Sequence, residues 1–427
     1  MSASDWIRDQ MQRSVAGALS GFERITAGAT YNPLDPQLSS DPYPLYRRLR
    51  ERDPVHRSYL LGGFVLTRHE DVLGVLKDAR FSADEKNSPS FEKQMRRMRK
   101  LGLLEPDKEI PISMLRSDPP DHTRLRQLVS KAFTPRAITA IEPRIEAIVN
   151  ERLDRAAEHD GMELISGLAS PVPVIVIAEM IGVPVEDRDR FTRWSDDVVR
   201  GMGVQSIRDA RISVRASREL EHYFKGIAAV RREDPKDDLM SRLLEAEEEG
   251  DRLTTPEVMS ILQLLLVAGN ETTTNLIGNG LLALMRNPDQ LELLQRNPDL
   301  VEGAIDELLR YDGPVQATSR IALEDVEIGG RTVRKGQNAF VVLGAANRDP
   351  ERFADPDRLD VTRNPEEHVS FGHGRHFCLG SNLARLEARY SIRGVIERFP
   401  NLKLATDEIV WRKNIILHGI TSLPIRF

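Results

Sequence analysis

Apolar positions change their period along the chain. Over the middle of the sequence they recur at steps of three and four residues, which predicts helices over 121–133, 136–158, 209–232 and 256–286. The last opens with Thr255-Pro256-Glu257, which fits an N-cap at Thr255 followed by a first-turn proline, and it stops before Asn287-Pro288. At ~1.5 Å per residue this helix is about 45 Å long, enough to cross a whole domain. Ahead of it, residues 55–58 and 64–67 flank Gly62-Gly63 as a small hairpin. Residues 31–46 carry Pro33, Pro36, Pro42 and Pro44, which predicts an extended path rather than a helix. Downstream, 326–342 has strand character broken by Gly329-Gly330 and Lys335-Gly336, and 347–365 is an Asp/Pro/Arg-rich meander. A final helix covers about 379–398, and the tail 408–427 alternates like a hairpin. The pattern predicts a mainly helical protein with a smaller β portion, not alternating βαβ units.

Composition removes several function classes. Acidic residues (66) outnumber basic ones (60) for a net charge of −6, so no global basic field exists to hold a phosphate backbone and nucleic acid is not an expected partner. One cysteine forbids an intramolecular disulfide and with it the disulfide-stapled secreted class. With Asp5, Arg8 and Asp9 ahead of any apolar run, no signal or transit peptide is legible and none is expected. The most apolar run, 261–268, includes Gln263 and falls far short of the ~20 residues that span a bilayer. A cytoplasmic protein without a membrane partner is expected.

The only cysteine sits in Phe371-Gly372-His373-Gly374-Arg375-His376-Phe377-Cys378-Leu379-Gly380. A lone cysteine is ordinarily a small buried hydrophobe. Here Gly372, Gly374 and Gly380 permit backbone conformations that bring amides close to the sulfur or to a bulky ligand. Cys378 also lies where the last helix begins, and a helix N-terminus favours negative charge and lowers a thiol pKa. Phe371, Phe377 and Leu379 would keep water away. A thiolate in such a place is a metal ligand or a nucleophile.

The segment matches Phe-x-x-Gly-x-x-x-Cys-x-Gly, and with it the sequence resembles the cytochrome P-450 superfamily over nearly the whole chain, most closely its soluble bacterial members. The resemblance implies the cytochrome P-450 fold as a single catalytic domain over 1–427, with 1–30 as a flexible lead and the long central helix crossing over the cofactor. That cofactor is haem b, iron protoporphyrin IX, with Cys378 as its axial thiolate, a ligand that favours O–O cleavage over reversible oxygen carriage. Ala268-Gly269-Asn270-Glu271-Thr272 fits the family pattern Ala/Gly-Gly-x-Asp/Glu-Thr. The small residues at 268 and 269 leave room for a flat cofactor and a diatomic ligand, although glycine inside a helix costs ~1 kcal/mol relative to alanine. Glu271 and Thr272 supply the carboxylate and hydroxyl of a proton relay; by resemblance, Thr272 steadies the activated oxygen and Glu271 helps to bring protons from solvent. His122 and Arg126, four apart, match the family pair that binds a haem propionate, and Arg320 and His376 match its other propionate contacts. Phe371, Gly374 and Gly380 complete the cofactor-binding set. Glu307 and Arg310, with Arg363 in the meander, match a structural triad of the family.

The implied activity is insertion of one oxygen atom from O2 into a C–H bond of a hydrophobic molecule: a macrolide or other polyketide, a terpenoid, a steroid or a fatty acid. Substrate-facing positions by analogy lie at about 86–115, 171–206, 264–267, 315–318 and 415–417. Neither a flavin module nor a second cysteine for an iron–sulfur cluster is legible, so electrons come from a separate ferredoxin and its NAD(P)H-fed ferredoxin reductase. Arg385, Arg389 and Arg393 form a solvated helix face or, with Arg375, a stripe that steers an acidic donor. Basic residues at 93–100 form a surface helix, or an entrance favouring a carboxylated substrate or an acidic carrier protein. A monomer is expected. Two rival classes are a haem-based sensor without turnover, which has no use for the Glu271–Thr272 pair, and a cysteine hydrolase, which leaves the propionate-type residues unexplained.

Overall fold

A computed structural model describes residues 35–104, 112–200, 206–248 and 253–427 continuously, with isolated positions between 17 and 33. Most of the expected lead 1–30, and 105–111 and 201–205 of the expected substrate-facing segments, lie outside the described residues.

The long helix is Thr255–Arg286. Its cap is Thr254, one residue earlier than the sequence suggests, because Glu257 returns a hydrogen bond to the Thr254 amide and closes a capping box. The helix is the shared wall of two cores. Its N-terminal half, through Val258, Leu262 and Leu266, packs with Phe191, Leu220 and Phe224 of helices Arg188–Val199 and Ile207–Glu233. Its C-terminal half, through Leu276, Leu281 and Leu284, packs with Leu153, Leu308 and Ile392 of helices Pro135–Ala157, Val301–Asp312 and Ser381–Arg398. The polar run Asn270–Asn275 lies at the seam between them.

The β portion is mainly one five-stranded sheet in the order Val55–Ser58, Gly63–Leu66, Asn338–Val342, Ala317–Ala322, Phe81–Ser82. Only Gly63–Leu66 and Asn338–Val342 run parallel. The first hairpin and the 326–342 strands therefore agree with the sequence pattern, whereas the strand Ala317–Ala322 that carries Arg320 does not show in it. The tail is a hairpin only over Val410–Trp411 and Ile420–Ser422; Pro424–Arg426 leaves it and inserts between Gly161–Glu163 and Lys403–Leu404.

The proline-rich segment is not extended. It forms helices Pro36–Ser40 and Tyr43–Arg52, because Pro36 and Pro44 fall in first turns, where no amide donor is required, and the Asp35 carboxylate caps the Gln37 amide at 3.0 Å.

The meander is fixed by buried charge. Arg310 and Glu307, both essentially without solvent exposure, pair at 2.6 and 2.8 Å. Arg310 also donates to the carbonyls of Asn347, Pro356 and Arg358, and Arg363 reaches Glu307 at 3.2 Å. A chain without regular secondary structure of its own is thus held by two guanidinium groups on one carboxylate, and Asn347 ties it to Val369 and Ser370 ahead of the cysteine loop.

Candidate active site

The loop before Cys378 closes on itself. The Gly372 amide donates to the Val369 carbonyl at 2.8 Å, Phe377 to Gly374 at 3.0 Å, and Cys378 to Phe371 at 2.9 Å. Gly374 has φ +69°, and a Cβ there would lie 2.8 Å from the Leu76 carbonyl oxygen, so no other residue fits. Gly380 differs from expectation. Its φ is −88°, open to any residue, and what distinguishes it is empty space on its Cβ side. Arg126 donates to the Phe377 carbonyl at 2.7 Å, fastening helix Asp121–Ser130 to the residue before the cysteine.

Burial pushes the Cys378 thiol up, and the Gly380 amide, Arg126 and Arg385 offset this only in part. The expected lowering by the helix start is therefore reversed, since one amide and two guanidinium groups do not outweigh a dry site. A metal cation held by the sulfur would supply the missing charge.

Beside the loop, five residues from three elements converge. The rings of His122 and His376 lie 4.2 Å apart, and the Nε2 atoms of both are buried without a hydrogen-bond partner. Arg320 is buried on its strand, and among the described residues its guanidinium bonds only to the Thr318 hydroxyl and Ser319 carbonyl. Arg375 and Arg320 act on both imidazoles, and Arg126 acts on His122. Burial first, and then Arg126 and Arg375, hold His122 below its ordinary value, while burial, His122 and then Arg320 drive His376 down to about 3. Asp118 is the opposing carboxylate, and it is engaged by the Ala83 amide at 3.1 Å and the Ser82 hydroxyl. Orphaned buried imidazoles among guanidinium groups match a dianion such as the two propionates of haem. Arg375 therefore belongs with this cluster, not with a steering stripe.

The central helix opens at one line of positions. Leu264, Ala268 and Thr272, four apart, keep surface free on a helix that is otherwise largely buried, and the Thr272 hydroxyl donates to the Ala268 carbonyl at 2.6 Å. Gly269 beside it is partly exposed too, and a Cβ there would meet only Ile177, at 4.0 Å. Glu271 points away from the line into the wall, where it is 2% exposed. Arg412 approaches its carboxylate at 3.0 Å and Asn275 donates to it at 3.3 Å. Burial raises the Glu271 pKa and Arg412 opposes the rise. The Arg412 side chain keeps about 29% of its surface, and Asp196 interacts with it, so this wall connects Glu271 towards solvent. The hairpin that carries Arg412 sits hard on the helix: a Cβ at Gly419 would come within 2.1 Å of Asn275. Segments 315–318 and 415–417 meet through a Val315–Leu417 bridge and a 2.8 Å hydrogen bond from the Gln316 amide to Ile416.

The arginine face after the cysteine is not free. Arg385 pairs with Asp306 at 2.8 Å and lies over the Phe371 ring at 4.6 Å. Arg389 pairs with Glu142, and Arg393 with Glu397 at 2.9 Å and Asp299 at 3.5 Å. Neighbouring helices neutralise these cations, so the steering stripe is withdrawn. Sequence reasoning missed Arg412, Asp196 and the fully buried Glu387, which share no spacing with any motif and meet the site only through folding.

A cysteine on a closed loop, a cluster of imidazoles and guanidinium groups beside it, and a central helix opened along Leu264, Ala268 and Thr272 fit a haem-thiolate protein. The sequence profile described as Cytochrome P450 matches residues 205–416. The chain is 43% identical over 399 residues to Cytochrome P450 107B1 of Saccharopolyspora erythraea, covering 92% of this chain and 96% of that one. It is 39% identical over 404 residues to the polyketide biosynthesis cytochrome P450 PksS of Bacillus subtilis, covering 92% and 98%, and the solved PksS structure superposes with a TM-score of 0.84. A structure of P450BioI in complex with a hexadecenoic-acid-ligated acyl carrier protein superposes with a TM-score of 0.82 at 38% identity, covering 92% and 98%. The chain belongs to the cytochrome P450 superfamily and is a monooxygenase. Its cofactor is haem, and Cys378, the only cysteine, is the axial ligand.

Proposed function

We propose that this P450 hydroxylates a hydrophobic small molecule, drawn from the polyketide, terpenoid, steroid or fatty-acid classes, using O2 and two electrons from a separate ferredoxin fed by an NAD(P)H-dependent reductase. The observation that carries this reading is the division of labour on the central helix: Leu264, Ala268 and Thr272 line the opening, while Glu271 is held behind it by Arg412. Bound haem supplies one-electron chemistry and oxygen activation. The protein supplies the remainder. His122, Arg126, Arg320, Arg375 and His376 hold the propionates, and Phe371 with Phe377 keeps water from the sulfur. Glu271, whose proton affinity is raised by burial and opposed by Arg412, is the proton-carrying group on the wall behind Thr272. Apolar side chains orient the substrate and exclude solvent. Phe377, 39% exposed beside Cys378 and with Arg126 on its carbonyl, gives the electron donor a landing point next to the ligand. The enzyme operates in the cytoplasm, where its donor is reduced by NAD(P)H.

Thr272→Ala tests the relay. The variant is expected to keep its Soret band and consume NAD(P)H at a similar rate while product falls roughly tenfold or more and peroxide rises. Loss of NAD(P)H consumption in step with product would remove Thr272 from proton delivery. Substrate class is read from a Soret titration with representatives of the four classes, where a good ligand moves ferric haem towards high spin.

A further inference from the structure

Helix Phe91–Lys100 buries only Met95, and Lys93, Arg96, Arg97, Arg99 and Lys100 are all exposed. None of the five makes an ion pair with another described residue. Residues three and four apart on a helix are neighbours, so Lys93, Arg96, Arg97 and Lys100 repel along one side, which a helix serving structure alone gains nothing from. Across a groove of about 390 Å³ runs a second basic line on helix Ile207–Glu233. It is formed by Arg208, Arg211, Arg215 and Arg218, all exposed and spaced to share a face. Leu101 and Gly102 form one bank of the groove, and Arg211, Val214, Arg215 and Arg218 the other. Its carboxylate, Glu219, is already engaged by Arg215 at 2.8 Å and by the Trp194 indole at 2.9 Å. The first basic line thus ends at one bank of the groove, and the second, in which Arg215 is paired with Glu219, runs along the other, on a chain of net charge −6.

This groove is tied to the active site. The segment bearing Phe91–Lys100 starts at Ser82 and Ala83, both fastened to Asp118 of the basic cluster. Helix Ile207–Glu233 is joined to the central helix by a 2.9 Å hydrogen bond from Gln263 to the Ser217 carbonyl, one residue before Leu264 of the open line.

We infer that this face docks an acidic carrier protein, which presents the apolar substrate as a thioester on a flexible arm; the inference rests on the substrate reading above. The two basic lines are about 10 and 15 Å long at ~1.5 Å per residue, more than one carboxylate needs and the length of a short acidic helix. No large apolar side chain is exposed on either line, so the face has nothing to insert into a lipid surface. Opposed charge of this extent orients an encounter and speeds it.

The test uses haem-loaded enzyme and four probes: dodecanoyl acyl carrier protein, the same carrier without acyl chain, dodecanoic acid, and phosphatidylglycerol vesicles. Carrier binding is followed by fluorescence anisotropy and substrate entry by the Soret shift. The carrier is expected to bind with an affinity that falls about tenfold or more when salt is raised to roughly 0.5 M. The same loss is expected from Arg96→Glu/Arg97→Glu and from Arg211→Glu/Arg215→Glu, while the Soret band, thermal unfolding and response to dodecanoic acid stay as in the wild type. Equal carrier binding by wild type and both variants overturns the inference, as does tighter binding to vesicles than to carrier. If no fatty chain, free or carried, shifts the Soret band while carrier anisotropy still depends on these arginines, docking holds and the fatty-acid option falls.

Discussion

Glu271 has neighbours that pull its proton affinity in opposite directions: burial raises it and Arg412 lowers it. Arg412→Ala removes the larger opposing contact and leaves only the Asn275 hydrogen bond against burial. The apparent pKa assigned to Glu271 in the pH profile of product formation should move up, and turnover should fall about tenfold, with substrate titrations unchanged. An unmoved profile would show that Arg412 only packs. His376 makes a second case. Its folded-state value, about 3, lies below the ordinary 6.5, so the neutral ring stabilises the fold above pH 6.5 and that contribution is lost as pH falls towards 3. Propionates would reverse the sign by offering an acceptor. His376→Ala should weaken haem retention roughly tenfold, measured by transfer to apomyoglobin, while the haem-free protein becomes less sensitive to acid.

At the scale of elements, the central helix is held to its neighbours by polar side chains at the seam between its two apolar halves. Asn270 donates to the Ser195 hydroxyl at 2.7 Å, and Asn279 to the carbonyls of Asp312 and His418. Thr273 bonds to Glu387 on helix Ser381–Arg398, whose N-terminus follows the cysteine. Glu387 is buried, and its carboxyl is pushed up to about 8 by burial, with Thr273 opposing. It enters the fold protonated, so the stability it contributes is complete below about pH 4.5 and is lost as pH rises through about 8. Glu387→Gln keeps a neutral hydrogen-bonding group. It should therefore be the more stable protein at pH 8.5 by about 1 kcal/mol or more, with little difference at pH 5. A wild-type unfolding temperature that does not fall faster than the variant's between those pH values would contradict this.

Across the whole molecule, the meander depends on one buried ion pair that also satisfies several backbone carbonyls. Arg310→Ala leaves Glu307 buried without its main partner and should cost about 3–5 kcal/mol. The expected readout is loss of haem-loaded protein on expression. Arg363→Ala should cost less, because Arg363 is partly exposed and Glu307 keeps Arg310. Equal losses for the two would mean that the meander is held by Arg363 instead.

Much of this arrangement was visible in the chain itself. Helix periods depend only on neighbours three and four residues away, so Thr255–Arg286 and Pro135–Ala157 were legible to within a residue. The cysteine motif and Glu271–Thr272 are local too, fixed by residue types at short separations. The first-turn prolines of Pro36–Ser40 and Tyr43–Arg52 misled because proline limits one dihedral angle and one donor, a restriction that an extended strand and a helix start share. What folding alone decided is everything set by distant partners: the burial that pushes the Cys378 thiol up, the pairing that removes Arg385, Arg389 and Arg393 from the surface field, and the hairpin that brings Arg412 to Glu271. Charge and proton affinity depend on what surrounds a group in three dimensions, and residues 141 positions apart are neighbours only once the chain has closed around them.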